Sequence, residues 1–531
     1  IKVGLAQTNP VVGDYEHNLN QITSLMSQAH QQGLDLVVFG ELSLNGYPLA
    51  DLSYRKDVIA AGEKALLKAI DHSASLPGLT VVLGFARLAT TSGPTNQVSS
   101  AIAHNSAAVF RAGKLLGTYD KQLLPNYDVF DDWRNFIPGD SELIFEVNGT
   151  KCAVAICEDI WTEDASRSDA LRSHGVELIV VPNGSPYTRT KPAERRAAAR
   201  HFAAGMHLAY VNLAGGQDEL VFDGDSFLLG VQGEELVSAG LTPGLISTGI
   251  SLADDDLSKL FDVLVIGLRD YLAKTGQSKV VLGLSGGIDS ALCAAIAKEA
   301  VGAQNVLGVL LPSRYSSDHS LEDAEVLAKN LNINWRTVPI DPAHKSFESM
   351  IELKGLAPEN IQARIRAVIL MAISNSEGHL LISTGNKSEI AVGYSTIYGD
   401  SAGGFAPIKD VFKTDVWRLA RHYNQRVGFD AIPQSSITKA PSAELKPGQV
   451  DQDSLPDYEL LDAILHLLVE KTQTVAEVVA AGFDQPLVQR VDAMVRAAEW
   501  KRSQSAIGTK TTDLAFGRGR RVPLTTRFES L

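Results

Sequence analysis

Along the first half of the chain, short apolar runs alternate with polar stretches of helical length. The runs at residues 2–7, 35–40, 80–86, 107–110, 115–119, 143–147, 152–156, 178–181, 209–213 and 226–230 have the length and β-branched content of strands. Asn148-Gly149 between two such runs predicts a two-residue hairpin, and Gly113 in "FRAGK" marks another turn. Hairpins mixed with strand–helix alternation predict an α/β sandwich with mixed pairing.

The pattern changes over residues 235–257, where Gly, Pro and Ser precede an acidic run. This predicts a first domain over 1–240, a linker over 241–257 and a second domain over 258–531. The second opens with an amphipathic helix closed by Gly276. Apolar runs at 279–284, 305–311, 334–340 and 379–385 then alternate with helical segments, the pattern of a doubly wound parallel sheet.

Composition narrows the class. A chain of 531 residues, 45% hydrophobic and 21% charged, is long enough for several buried cores. A formal net charge of −14 disfavours a nucleic-acid partner. Three cysteines, Cys152, Cys157 and Cys293, make neither a disulfide framework nor a zinc pattern. With no signal-peptide pattern and no apolar run of about 18 residues, no membrane association and a cytoplasmic location are expected.

Three reactive side chains stand just past predicted strands: Glu41, Lys121 and Cys157. Strand ends can meet at one rim of a sandwich. A thiol, a carboxylate and an ammonium together make a nucleophilic set, with Glu41 taking the thiol proton and Lys121 stabilising negative charge. Cys152, an odd number of residues from Cys157, is expected on the opposite strand face, in the core. "GYP" after Glu41, "YDKQLLPNY" and "CEDIW" resemble the carbon–nitrogen hydrolase (nitrilase/amidase) family over roughly residues 1–240. The resemblance implies an αββα sandwich and attack of Cys157 on an amide carbonyl, with release of ammonia and hydrolysis of a thioester. It further implies that Tyr127, Ser185 and Lys191 hold glutamine.

"VVLGLSGGIDSA" at 280–291 reads as strand, loop and helix. Gly283 and Leu284 lead into the loop. Gly286 and Gly287 let the backbone turn with N–H groups inward, and the helix N-terminus adds partial positive charge. Ser285 and Ser290 offer hydroxyls around Ile288, and Asp289 offers a carboxylate to a magnesium ion. No lysine follows at the Walker position. The stretch resembles the ATP pyrophosphatase family, whose members cleave ATP between the α and β phosphates and adenylate a substrate oxygen, and the resemblance implies ATP contacts over residues 283–290.

An amidase releases ammonia, and an adenylated carboxyl is open to attack by ammonia. The two halves together therefore read as a glutamine-dependent amide ligase. "ENIQARIRAVILM", "ISTGNKSEIAVGYSTIYGDSAGGFAPIKDVFKTDVW", "PSAEL" and "EWKRSQ" are similar to the NAD+ synthetase family. That similarity implies ATP contacts at Thr384, Lys413 and Ser442, deamido-NAD+ contacts at Asn360, Glu389 and Lys501, and a metal site at Asp289 and Glu389. The substrates implied are deamido-NAD+, ATP and L-glutamine, with Mg2+ as cofactor and a homo-oligomeric assembly. Amidation of a different acceptor is the alternative reading. Ligases of that kind use Cys-His-Glu or N-terminal-cysteine glutaminases, and the Glu41, Lys121, Cys157 set differs from both. A third reading, a non-catalytic subunit that kept the folds, leaves the reactive residues at every expected position without a purpose.

Overall fold

The computed structural model describes residues 1–89, 101–249, 255–446 and 448–524. The chain forms two compact units, Ile1–Asp254 and Asp255–Leu531.

The first unit contains fourteen described strands: β1 (Val3–Gln7), β2 (Leu36–Phe39), β3 (Thr80–Leu88), β4 (Ala103–Arg111), β5 (Lys114–Asp120), β6 (Ile144–Val147), β7 (Thr150–Val154), β8 (Leu178–Asn183), β9 (His207–Asn212), β10 (Ala214–Gln217), β11 (Leu220–Asp223), β12 (Phe227–Leu229), β13 (Glu235–Ser238) and β14 (Gly244–Ile246). One six-stranded sheet runs β14-β1-β2-β3-β4-β5, the other β13-β12-β9-β8-β7-β6, and β10 with β11 forms a separate hairpin. Both sheets mix parallel and antiparallel pairs.

Alternation along the strands explains the layering. Leu36 and Val38 face the second sheet, where they pack with Val154, Val180 and Val211. Val37 and Phe39 point the other way, onto Ile22, Met26, Ala69 and Ile70 of the helices Tyr15–Gln31 and Lys56–Ser73. Ile179 and Val181 likewise face Leu171 and Phe202 of the helices Ser166–Ser173 and Lys191–Ala203. Because both faces are covered, these strands are continuously apolar, and the order of layers is αββα.

The two hairpins form as expected. Asn148 and Gly149 both take positive φ, 48° and 84°, and connect the register pair Val147 and Thr150. Ala112 and Gly113, at 49° and 76°, connect Arg111 and Lys114. The expected linker needs correction at its start. Within 241–257, β14 pairs antiparallel with β1 and closes an edge of the first sheet, with Leu5 opposite Ile246. A three-residue strand between Pro243 and Ser247 is too short for periodicity to reveal.

The second unit holds β15 (Val280–Gly283), β16 (Val306–Leu310), β17 (Asn334–Thr337) and β18 (Leu380–Leu381), all parallel, in the order β17-β16-β15-β18. Val280 and Leu282 pack with the helices Asp256–Lys274 and Ile288–Val301, while Val281 packs on the opposite face against Ile365 and Leu370 of the helix Ala357–Glu377. Chain order reverses at β15, with β16 on one side and β18 on the other. In an open parallel sheet this switch point opens a crevice at the strand C-termini. The loops that leave β15 and β18 there are those with the motifs at 285–290 and 382–389. Among the described residues no helix is long and apolar enough to cross a membrane.

Candidate functional site

In the first unit, Glu41 follows β2, Lys121 follows β5 and Cys157 opens a short 3-10 turn, Cys157–Ile160, beyond β7. Lys121, 1% exposed, donates from Nζ to Glu41 Oε1 at 2.6 Å and to Asp132 Oδ2 at 2.7 Å. Glu41 Oε1 also accepts from Asn105 Nδ2 at 2.7 Å, and its Oε2 from the amide of Gly184 at 2.8 Å. An unpaired buried ammonium would cost several kcal/mol, so two carboxylates at hydrogen-bonding distance are what permit Lys121 to lie here. Burial opposes its charge, yet Asp132 and Glu41 more than offset this and hold the ammonium well above its usual range. Burial pushes the Glu41 carboxyl up, against the opposing pull of Lys121.

Cys157 sits at φ 44°, in the left-handed region that β-carbon-bearing residues rarely adopt. The chain leaves the strand before it, so alternation stops at Ile156. Cys152 and Cys157 consequently share the core between the sheets, instead of lying on opposite faces. Burial and then the Glu41 charge push the Cys157 thiol well above its usual range, while Lys121 pulls it down. The resting group is therefore a thiol in need of a base. Alkylation of Cys157 by iodoacetamide, followed by mass spectrometry of its peptide, is expected to go on accelerating up to about pH 9. A plateau below about pH 8 would mean that a stable thiolate is already present.

Of the three residues read as glutamine contacts, Tyr127 and Lys191 meet Glu158 and Trp161, within and just after the turn that Cys157 opens. Tyr127 donates to Glu158 Oε2 at 2.8 Å. Lys191 Nζ lies 4.5 Å from the centroid of the Trp161 ring and 3.4 Å from Glu194. Ser185 follows Gly184, and its Oγ accepts from the buried Arg195 at 3.1 Å. Sequence reasoning missed Asn105, Asp132 and Glu158. The acid pairs in "FDDW" and "CEDIW" are the only hints, and nothing periodic distinguishes their members.

In the second unit a cavity of about 310 Å³ opens at the switch point. Gly283, Leu284, Ser285, Gly287, Ile288, Asp289, Ser290, Thr384, Glu389, Lys413, Ser442 and Lys501 line it; Gly286 and Asn360 do not. Gly286 shapes the turn from behind. Its φ is 77°, and a Cβ there would stand 2.2 Å from the carbonyl oxygen of Ser320. Gly287 has the ordinary φ of −83°, so the requirement for glycine rests on Gly286. Gly286→Ala is expected to reduce synthesis from free ammonia by about tenfold or more through displacement of the loop. A steady-state assay at saturating ammonia checks this. Asn360 accepts from the Thr396 hydroxyl at 2.9 Å. Lys501 donates to the carbonyls of Gly393 and Ser395, and burial lowers its ammonium. Ser442 Oγ accepts from the amide of Glu444 at 3.1 Å.

Lys413 Nζ bridges Asp289 Oδ2 and Glu389 Oε1, at 2.5 and 3.2 Å. Burial pushes the Glu389 carboxyl up to about 8, with Lys413 opposing and Asp289 reinforcing the rise. Asn386 completes the arrangement. It caps the helix Lys387–Val392 through the amide of Glu389 and donates to Asp289 Oδ1 at 2.8 Å. Its signal was available, since an Asn three residues before a Glu is a helix-start pattern. Among the described residues no group of three or more His, Cys, Asp or Glu could hold a metal ion. Two carboxylates that already share one cationic partner do fit a magnesium ion whose other ligands are phosphate oxygens and water.

Residues 2–256 match the carbon-nitrogen hydrolase family and residues 260–505 the NAD synthase family. The chain is 42% identical to a glutamine-dependent NAD(+) synthetase of Thermotoga maritima, over 100% of this chain and 99% of that one. It is 40% identical to one of Acinetobacter baylyi, with 98% of each chain covered. A solved glutamine-dependent NAD+ synthetase of Acinetobacter baumannii, in complex with adenosine diphosphate, is similar at TM-score 0.76 and 37% identity, over 100% of this chain and 99% of that one. One of Cytophaga hutchinsonii is similar in fold at TM-score 0.85 and 21% identity, over 99% and 98% of the two chains.

Proposed function

From the premise that the chain belongs to the glutamine-dependent NAD(+) synthetases, carbon–nitrogen ligases with a glutaminase and an NAD synthase domain, we propose how its residues divide the work. The first unit, Ile1–Asp254, hydrolyses L-glutamine. Glu41 takes the proton of the Cys157 thiol as sulfur attacks the side-chain amide carbonyl. Lys121 stabilises the oxyanion, and the protonated Glu41 supplies the proton to the departing ammonia. Water, activated by Glu41, then hydrolyses the thioester to glutamate. Tyr127, Ser185 and Lys191 hold the glutamine, and Glu158 beside Cys157 suits its α-ammonium.

Residues 258–531 adenylate the nicotinate carboxyl of deamido-NAD+ with ATP and release pyrophosphate. Ammonia displaces AMP to give NAD+. The turn at 285–290 receives the phosphates with Thr384, Lys413 and Ser442, while Asn360, Glu389 and Lys501 receive deamido-NAD+. Asp289 and Glu389 would hold Mg2+, which when bound supplies positive charge next to the triphosphate. Lys413 pairs with these carboxylates and keeps their charge from repelling an anionic substrate. A cytoplasmic homo-oligomer is part of the same reading.

The observation that carries the reading is the buried Lys121 ammonium, shared by Glu41 and Asp132 beside a cysteine in left-handed conformation. An end-point assay tests it: purified chain, ATP, Mg2+, glutamine and deamido-NAD+, with products identified by mass. NAD+, AMP and glutamate are expected. Amidation of a different acceptor in preference to deamido-NAD+ would overturn the assignment.

A further inference from the structure

Four hydrogen bonds in the first unit converge on one buried carboxylate outside the Glu41, Lys121 and Cys157 set. Asp159 Oδ1 accepts from the backbone amides of Gln122, at 3.1 Å, and Leu123, at 2.8 Å. These are the two residues directly after Lys121. Asp159 Oδ2 accepts from the amide of Ile156, at 2.8 Å, and from the Tyr119 hydroxyl, at 2.7 Å. Ile156 is the residue directly before Cys157, and Tyr119 lies two before Lys121. Asp159 is 0% exposed. Arg167 approaches Oδ2 at 3.7 Å and donates to the Tyr119 hydroxyl at 2.7 Å.

Each oxygen thus takes the amides of a different chain segment. One holds the exit from β5, which carries Lys121. The other holds the turn that carries Cys157, while Tyr119 ties it back to β5. No backbone pairing links β5 to β7, because they belong to different sheets. The carboxylate spans that gap. Four donors on one buried group also leave it no freedom to turn.

We propose that Asp159 is a positioning residue for glutamine hydrolysis, fixing the Cys157 turn in register with Lys121 across the two sheets. The inference rests on the reading of Cys157 as nucleophile. A displacement of about 1 Å between reacting groups can cost on the order of 100-fold in rate. Asp159→Asn tests the clamp with almost no change in volume. An amide offers one acceptor oxygen where the carboxylate offers two, and its NH2 faces donors. Whichever way it turns, one segment loses its acceptor.

The probe is a diazoketone analogue of glutamine. Its first-order rate of Cys157 alkylation at saturation and the final labelled fraction are read by mass spectrometry of the peptide. The result expected for Asp159→Asn is a rate lower by about 100-fold, labelling that still goes to completion, and unchanged NAD+ formation from free ammonia. A rate within about twofold of the parent overturns the proposal, whether labelling is complete or partial, because a merely structural loss lowers the labelled fraction and leaves the rate of the folded molecules alone. Should Asp159→Asn fail to fold, Tyr119→Phe removes a single donor and keeps the ring. A several-fold slower rate is then expected, and an unchanged one overturns the clamp. Labelling of the parent chain at a site other than Cys157 would instead defeat the nucleophile assignment itself.

Discussion

Cys157→Ala is expected to abolish NAD+ formation from glutamine and to leave formation from free ammonia within about twofold of the parent rate. Loss of a catalytic nucleophile costs on the order of 10⁴-fold or more, since neighbouring groups have no bond-forming atom to act on. Cys157 is 3% exposed and packs in the core between the sheets, so the variant also leaves a small cavity. That penalty is about 1 kcal/mol for a group of this size, well short of unfolding the unit. In the proposed division of work the ammonia route depends on the second unit, Asp255–Leu531, which lies outside the substituted one. Steady-state rates with each nitrogen source, on one preparation, check the result. Retained use of glutamine would reject the assignment of Cys157.

Asp289→Asn is expected to depress both routes together, by roughly 10²–10³-fold, the scale on which removal of a preorganised charge acts. The carboxylate holds Lys413, accepts from Asn386 and, with Glu389, presents the charge suited to a magnesium ion. Asparagine can still accept from Asn386, but its amide cannot pair with the ammonium. Lys413, 2% exposed, then keeps Glu389 as its one ion-pair partner among the described residues. In the proposed reaction both nitrogen sources meet the same adenylated carboxyl, so a loss is expected with glutamine and with ammonia alike. A normal rate with ammonia in this variant would remove Asp289 from the nucleotide site.

How much of this was legible depends on what kind of signal each part leaves. The strands with two covered faces were legible because a run such as "LVVF" has no polar interruption, and the hairpin at Asn148-Gly149 because positive φ demands those residues. The short elements β10, β11, β13 and β14 were not, since three or four residues are too few to carry a period. In the second unit, strand order placed the motifs at 285–290 and 382–389 on one crevice, a consequence of parallel winding that sequence spacing alone can only imply. Asp132 and Asp159 stayed hidden for a different reason. Each acts through contacts made across the fold, Asp132 with Lys121 and Asp159 with two separate segments, and neither contact has a fixed spacing in the chain. The opposite-face expectation for Cys152 failed because period-two reasoning holds only within a strand, and Cys157 lies past the end of one.

The central claim is that nitrogen freed at Cys157 is the nitrogen joined to the adenylated carboxyl. Glutamine labelled with heavy nitrogen at its side-chain amide, given to the parent chain with ATP, Mg2+ and deamido-NAD+, tests this most directly. Mass spectrometry of the product should find the heavy isotope in the carboxamide of NAD+, and Cys157→Ala under the same conditions should form no labelled product. Labelled NAD+ from the alanine variant, or unlabelled NAD+ from the parent chain, would contradict the account.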